Sequence, residues 1–316
     1  MITRTADIGS HAALFFLSRY ASVPRATYLM RAAPVYKAPL SLNAIDDMMR
    51  EATSRSCNIA MDDTAWTQAS LPVRLGGIGV RRLADTALPA FIASMDATKE
   101  LVRLINRRHN DDRPAPLTSA IEAFTEQHYP DFNPDEAISQ RRLDELASSL
   151  RYEHLLSRSN QIDRARLLAA AAPHSGAWLS ALPVECLGLL LPDEAVRVGV
   201  ALRLGTPVQQ PHRCRCGTTT DSFGHHNLSC HRDPGRLPRH SAINDVMYRC
   251  LASAGLTAVL EPRGLNRGDG RRPDGVTLYP FRHGKMLLWD ATCTNTFGST
   301  HLLECAVNPG AAARAA

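Results

Sequence analysis

The sequence predicts an α+β protein: a long helical N-terminal part, a short cysteine- and histidine-rich loop, and a small α/β domain at the C-terminal end. Three observations carry this. Apolar residues recur at helical spacing through much of the first 205 positions. Near residue 206 that periodicity gives way to Gly, Pro, Arg, His and Cys. Beyond residue 236 a helical stretch is followed by three short β-type runs with turns between them.

A chain of 316 residues has room for two or three modest domains. With 44% apolar and 21% charged residues, its composition is that of a globular protein, neither disordered nor fibrous. The net charge of +5 and pI of 8.9 lean mildly toward polyanions, a weak signal taken alone. No apolar run reaches the ~18 residues of a membrane helix. Ala12–Leu17 is short, ends near Arg19, and has no basic leader or small-residue cleavage site, so no secretory signal is expected. Of eight cysteines only Cys214, Cys216 and Cys230 cluster. In a chain without a signal peptide this points to a reducing compartment, where clustered thiols bind metal more often than they form disulfides.

The helices follow in order. His11–Tyr20 and Asn43–Cys57 place apolar residues on one face, the latter through Ile45, Met48, Met49 and Ala52. The connection between them holds Pro24, Pro34 and Pro39. Gly76, Gly77 and Gly79 mark a tight turn or close backbone approach. They are not a phosphate cradle, because no Lys-Ser/Thr pair follows and the spacing differs. Leu83–Met95 is helical, with Pro89 expected to kink or interrupt it. Residues 106–116 read as a charged, proline-bearing linker. Residues 117–185 are amphipathic and helical, and Leu143, Leu146, Ala147 and Leu150 read as core packing. A further helix starts at Pro192-Asp193, with Asp193 as N-cap, and stops at Gly205 after Leu204. The expected divisions are 1–100, 101–211, 212–232 and 236–316.

The segment from Cys214 to Cys230 offers three thiols and two imidazoles. Zinc takes four S/N ligands tetrahedrally, and short loops wrap it when ligands come in close pairs. The pairs here are Cys214 with Cys216, and His226 with Cys230, with His225 as the alternative to His226. Gly217 and Gly224 supply backbone freedom to each pair. So short a loop has no core of its own, and a structural zinc would supply much of its folding energy.

Downstream, Arg239–Met247 opens a helix with apolar positions at Ile243, Val246, Met247, Cys250 and Leu251, capped by Gly255. Thr257–Glu261, the run from Pro273 to Leu278, and Lys285–Thr292 are the expected strands, with a Gly/Arg-rich turn between the first two and a turn over 279–284. Asp290 falls mid-strand, where a carboxylate is costly unless it is paired or binds a cation. Asp274 begins the neighbouring strand and Glu261 ends the one before. Carboxylates converging across a small sheet form a hard-oxygen site for Mg²⁺ or Mn²⁺, which can activate water and stabilise charge at a phosphodiester. Each acid alone is weak support for this.

The strings FGHHNLSC (223–230), RLPRHSAIND (236–245), LEPRGLNRGDGRRPDG (260–275) and LLWDATCTNTF (287–297) resemble the C-terminal region of non-LTR retrotransposon proteins of the restriction-like-endonuclease class. WTQASLPVRLGGIGVRRLADTALPAFIAS (66–94) resembles the thumb that follows the polymerase palm in the same proteins. The motifs occur in the family's order and cover most of the chain, with 100–180 least distinctive. The resemblance implies a thumb-like region over 1–100, a helical linker region over 101–211, a CCHC zinc knuckle over 212–232 and a PD-(D/E)xK-like nuclease from 236. Its knuckle falls on Cys214, Cys216, His226 and Cys230, its PD motif on Pro273-Asp274, and its second acid on Asp290. Asp274 and Asp290 would hold magnesium or manganese, and Glu261 would be a third ligand or water-orienting base. Arg271 and Arg272 would contact phosphates, and Arg239 and His240, the family's Arg-His element, would contact the DNA backbone or support the active site. The implied partners are DNA and RNA, with no membrane, in the nucleus or cytoplasm.

Two departures from the family pattern stand out. The position two residues after the second acid is Thr292, not lysine, and Lys285 lies on the opposite face of a strand. The resemblance places that lysine on a later helix, of which residues 308–316 read as the start, so the nuclease is expected to be incomplete. No Tyr/Phe-x-Asp-Asp palm motif precedes the thumb-like region. Asp46-Asp47 and Asp62-Asp63 do not sit at a turn between apolar strands, so no RNA copying by this chain alone is expected.

Overall fold

A computed structural model of the chain describes residues 2–106, 114–128, 132–133, 138–230, 232, 235–265 and 272–315. Helices dominate, with two small antiparallel sheets, as an α+β chain requires. The chain forms two compact units: Met1–Val208 with Ala306–Pro309, and Gln209–Cys305 with Gly310–Ala316. No helix among the described residues is long and apolar enough to cross a membrane.

The first unit is helical. Its elements are α1 (Ser10–Phe16), α2 (Val23–Ala32), α3 (Pro39–Cys57), α4 (Asp63–Ala69), α5 (Leu83–Asn106), α6 (Ala115–His128), α7 (Gln140–Arg158), α8 (Gln161–Ala171) and α9 (Asp193–Leu204). A π turn over Leu17–Ala21 continues α1. Helix α3 starts four residues before the sequence periodicity does, because Pro39 sits in its first turn, where a missing N–H costs nothing. It ends on Asn58 in the left-handed conformation, φ 50°. One core joins Leu14, Leu17, Met49, Trp66, Val200 and Leu204. A second joins Leu88, Phe91, Ile92, Leu117, Phe124 and Leu143 across α5, α6 and α7, and includes Ala147 as expected.

Pro89 does not interrupt its helix: α5 runs unbroken from Leu83 to Asn106. An internal proline costs about 3 kcal/mol. Packing on two sides offsets this, since Leu83, Ala87 and Ala90 meet Met30 and Leu42 while Leu88, Phe91 and Ile92 meet α6 and α7. The start of α5 is also fixed from outside, by the buried Asp46 of α3, which accepts from Leu83 N at 2.7 Å and Ala84 N at 3.0 Å. Burial pushes this carboxyl's pKa up, against the pull of those two N–H groups. Asp62 caps α4 in the ordinary way, accepting from Ala65 N at 2.7 Å. Asp193 is the first residue of α9 and not its N-cap, which is Pro192. Its carboxylate instead accepts from Ser10 N at the start of α1, 2.7 Å away. The linker expected over 106–116 lies largely outside the described residues.

The glycine turn is held by a buried polar lock. Gln68 Nε2 donates to Gly76 O at 3.0 Å and Arg203 O at 2.9 Å. Arg203 donates through Nε to Gly77 O at 3.0 Å and through Nη2 to Val73 O at 2.8 Å. Arg166 donates to Gln68 Oε1 and to Arg203 O, both at 2.7 Å. Burial lowers the Arg203 pKa to about 10, and main-chain carbonyls solvate the charge. Gly76 and Gly79 take φ of 81° and 79°. Gly77 is a close approach: an added Cβ would lie 1.9 Å from Leu71 O. Gly77→Ala should therefore destabilise the first unit by about 3 kcal/mol, the upper range for overpacking. Gly188→Ala, at positive φ but with open space around it, should cost about 1 kcal/mol. Urea unfolding of the two variants checks the ranking.

In the second unit, β1 (His212–Arg213) pairs with β2 (Thr219–Thr220), and α10 (His225–Ser229) follows. Then come α11 (Arg236–Ser253), β3 (Ala258–Leu260), β4 (Gly275–Thr277), β5 (Leu288–Trp289), α12 (Leu302–Cys305) and α13 (Ala311–Arg314). The sheet order is β3-β4-β5, antiparallel throughout. The strands stand where the alternation puts them but are shorter. Asp290 lies one residue past β5 and not in mid-strand. Gly275 admits no side chain, because a Cβ there would meet the Trp289 ring at 2.0 Å.

Candidate metal centre and acidic row

The Cys/His site is built from a hairpin and one helical turn. The strands β1 and β2 bring Cys214 and Thr218 together, with Cys214 N donating to Thr218 O at 2.9 Å. Gly217, φ 95°, closes the turn, and its N–H donates to Cys214 O at 2.9 Å. Gly224, φ 73°, starts α10. His226 and Cys230 are four residues apart, so one turn sets them on one face, with Cys230 N donating to His226 O at 2.9 Å.

The result is four ligand atoms, from Cys214, Cys216, His226 and Cys230, all within 4.8 Å of one another. Cys214 Sγ lies 3.6 Å from Cys230 Sγ, and Cys216 Sγ lies 3.2 Å from His226 Nε2. Tetrahedral zinc with its usual bond lengths sets such atoms about 3.5–3.8 Å apart. Three thiols and an imidazole gathered within 4.8 Å, close to that spacing, can hold a metal ion such as zinc. Between the two histidines the structure assigns the ligand to His226. His225 faces elsewhere, its Nδ1 3.1 Å from Asp221 Oδ2 and its ring packed on Phe223 and Phe297.

The thiols are not equivalent. Hydrogen bonds from the Thr218 side chain and backbone lower the Cys216 pKa from 9.0 to about 6. Burial, together with the neighbouring cysteines, raises that of Cys230. Thr218 has no signal in the ligand pattern, although its place two residues after Cys216 is where a hairpin closes.

The acids occupy a second feature of this unit. Leu260 pairs with Gly275, and Gly275 with Trp289. At this one end of the sheet Glu261 follows β3, Asp274 precedes β4 and Asp290 follows β5. Glu261 N donates to Asp274 O at 2.8 Å, and Asp274 N to Trp289 O at 3.0 Å. The acids are not drawn into a cluster as the thiols are: among the described residues only the Cys/His atoms group that closely. Glu261 takes φ 47°, off the regular pleat, and both it and Asp290 are exposed.

Asp274 is the best anchored of the three. Its Oδ2 accepts from Ala291 N at 2.6 Å and lies 3.0 Å from His240 Nε2. Burial pushes its carboxyl up, but Ala291 N–H, Asn244 and His240 outweigh this and hold the pKa below the ordinary carboxylate value. Trp289 Nε1 donates to Asn244 Oδ1 at 3.1 Å. Asn244 escaped the sequence reading, yet it lies four residues after His240 and so on the same helix face. Arg239 donates to Gly235 O at 3.2 Å and to Leu228 O at 3.4 Å. Arg272 is exposed, and Arg271 lies outside the described residues.

No protein-family model matches the chain. Over 256 residues, 80% of its length, it is 24% identical to the "Retrotransposable element SLACS 132 kDa protein" of Trypanosoma brucei gambiense. The similarity supports a retrotransposon-related origin. The match spans 18% of that relative's length.

The zinc assignment has two checks. The purified chain should hold one zinc, which His226→Ala releases and His225→Ala retains, as read by metal analysis after dialysis. In the metal-free chain Cys216, a thiolate above about pH 6, should react with iodoacetate at pH 7 before Cys230, and zinc should suppress the reaction. Peptide mapping gives the order, and preferential labelling of Cys230 would contradict the assignment.

Proposed function

We propose that the C-terminal unit is a metal-dependent DNA endonuclease domain with a nucleic-acid-binding zinc knuckle, within a retrotransposon-derived protein. The observation that carries this reading is the placement of Glu261, Asp274 and Asp290 at one end of the three-stranded sheet, in the unit that also holds the Cys3His turn. Asp274 and Asp290 would hold Mg²⁺ or Mn²⁺, with Glu261 as third ligand or water-orienting base. Bound there, the cation would polarise a phosphodiester and favour ionised water. The chain's own contribution is placement. Ala291 N–H and His240 orient the Asp274 carboxylate, and Trp289 orients Asn244. Arg239, His240, Arg271 and Arg272 would meet backbone phosphates.

One observation favours a second reading, a nucleic-acid-binding module without chemistry. Asp274 Oδ2 already serves two protein groups, as a structural carboxylate would. Nicking of supercoiled plasmid in Mg²⁺ or Mn²⁺ separates the two. The endonuclease reading expects nicking that falls by roughly 10²-fold or more in Asp290→Ala, the scale of losing one charge stabiliser at a transition state. Zinc retention and salt-dependent DNA binding with no nicking would leave the binding module.

A further inference from the structure

A cavity of about 480 Å³ in the C-terminal unit lies between α10, the start of α11 and the segment 291–301. That volume is in the ~300–1,000 Å³ range of ligand pockets. Its lining contains no aspartate or glutamate. It does contain Arg239, His240 and His301, the hydroxyls of Thr292 and Thr300, and Asn295. The Asn295 Oδ1 accepts from Phe297 N at 3.0 Å, which fixes the amide's orientation. Its Nδ2 is buried and has no hydrogen-bond partner among the described residues. A buried donor without an acceptor is costly, so an acceptor brought by a ligand would satisfy it.

From these features we infer that the cavity seats a backbone phosphate of a nucleic-acid strand, with Asn295 Nδ2, Arg239 and the Thr300 hydroxyl as its donors. A donor-lined, acid-free cavity favours an anion, and a phosphodiester brings two unesterified oxygens to it. Its position also matters. Ala291 lines the cavity, and its N–H holds Asp274, so a phosphate here lies near that carboxylate. Cys230 and Leu228 also line it, so the metal turn forms part of its wall. The inference rests on the reading of this unit as one that handles nucleic acid, but not on cleavage.

The test uses the full zinc-loaded chain and a fluorescent single-stranded 20-mer, in DNA and RNA forms, with anisotropy read across a salt series. Arg239→Ala would break contacts to Gly235 and Leu228, so the informative variant is Asn295→Asp. It is nearly isosteric, keeps the acceptor for Phe297 N–H, and places a negative charge where the donor was. Arg249→Gln, an equal charge change at an exposed residue outside the cavity, is the control. Zinc content and circular dichroism establish that each variant is folded. The expected result is binding about tenfold weaker for Asn295→Asp, the scale of a lost hydrogen bond to a charged group, with a salt slope smaller by about 0.7, one phosphate contact. The control should change much less. Equal affinity and slope in Asn295→Asp and wild type would overturn the inference. So would a change confined to inorganic phosphate, tested as a competitor, because the pocket would then be a free-phosphate site. Weakened binding in a chain that never nicks plasmid would uphold the pocket while removing the endonuclease reading.

Discussion

The C-terminal unit depends on one carboxylate. Asp274 immediately precedes the central strand of a sheet whose strands are two or three residues long, too short to be stable by pairing alone. Its backbone pairs on both sides, and its side chain reaches Ala291 N–H beyond β5 and His240 on α11. Helix, sheet and following segment are thus tied at one residue. Trp289 adds a second tie, covering Gly275 with its ring and donating to Asn244 with its indole N–H.

A scarce core explains why such ties are needed. The first unit buries Leu, Phe, Met and Trp side chains in several clusters. Among its described residues the second buries only a few apolar ones, including Leu251, Ala258 and Val276. Small units with little core rely on metals or polar crosslinks. The Cys3His turn fits that need, since its four ligands come from a two-residue hairpin and a single turn of helix that have little else to hold them.

Buried polar groups in the helical unit serve the backbone. Asp46 caps α5 from α3, Asp193 caps α1 from α9, and Arg203 with Gln68 satisfies the carbonyls of the glycine turn. The acid pairs at 46–47 and 62–63, conspicuous in the sequence, are explained largely by helix capping and not by chemistry. The retrotransposon-related similarity therefore spans two units of different character: a well-packed helical one, and one whose polar residues are exposed along a sheet and around a cavity.

Local signals determined what local physics governs. Helical periodicity, the C-x-C and H-x₃-C spacings, the glycines at 76–79 and the three β-type runs were all legible in the sequence, because each depends on neighbours a few residues away. Sequence favoured His226 but left His225 as its alternative. That choice came from the helical turn that sets His226 beside Cys230 and from the Asp221 and aromatic contacts that hold His225. Nor could it show that Pro89 is accommodated, since packing on both sides of α5 decides this. The acids were visible as residues, but the antiparallel sheet brings them to one end of its three strands. The Asn295 donor and its cavity follow from how segments far apart in sequence fold against each other. Tertiary structure decided these points because each depends on groups that the chain brings together only by folding.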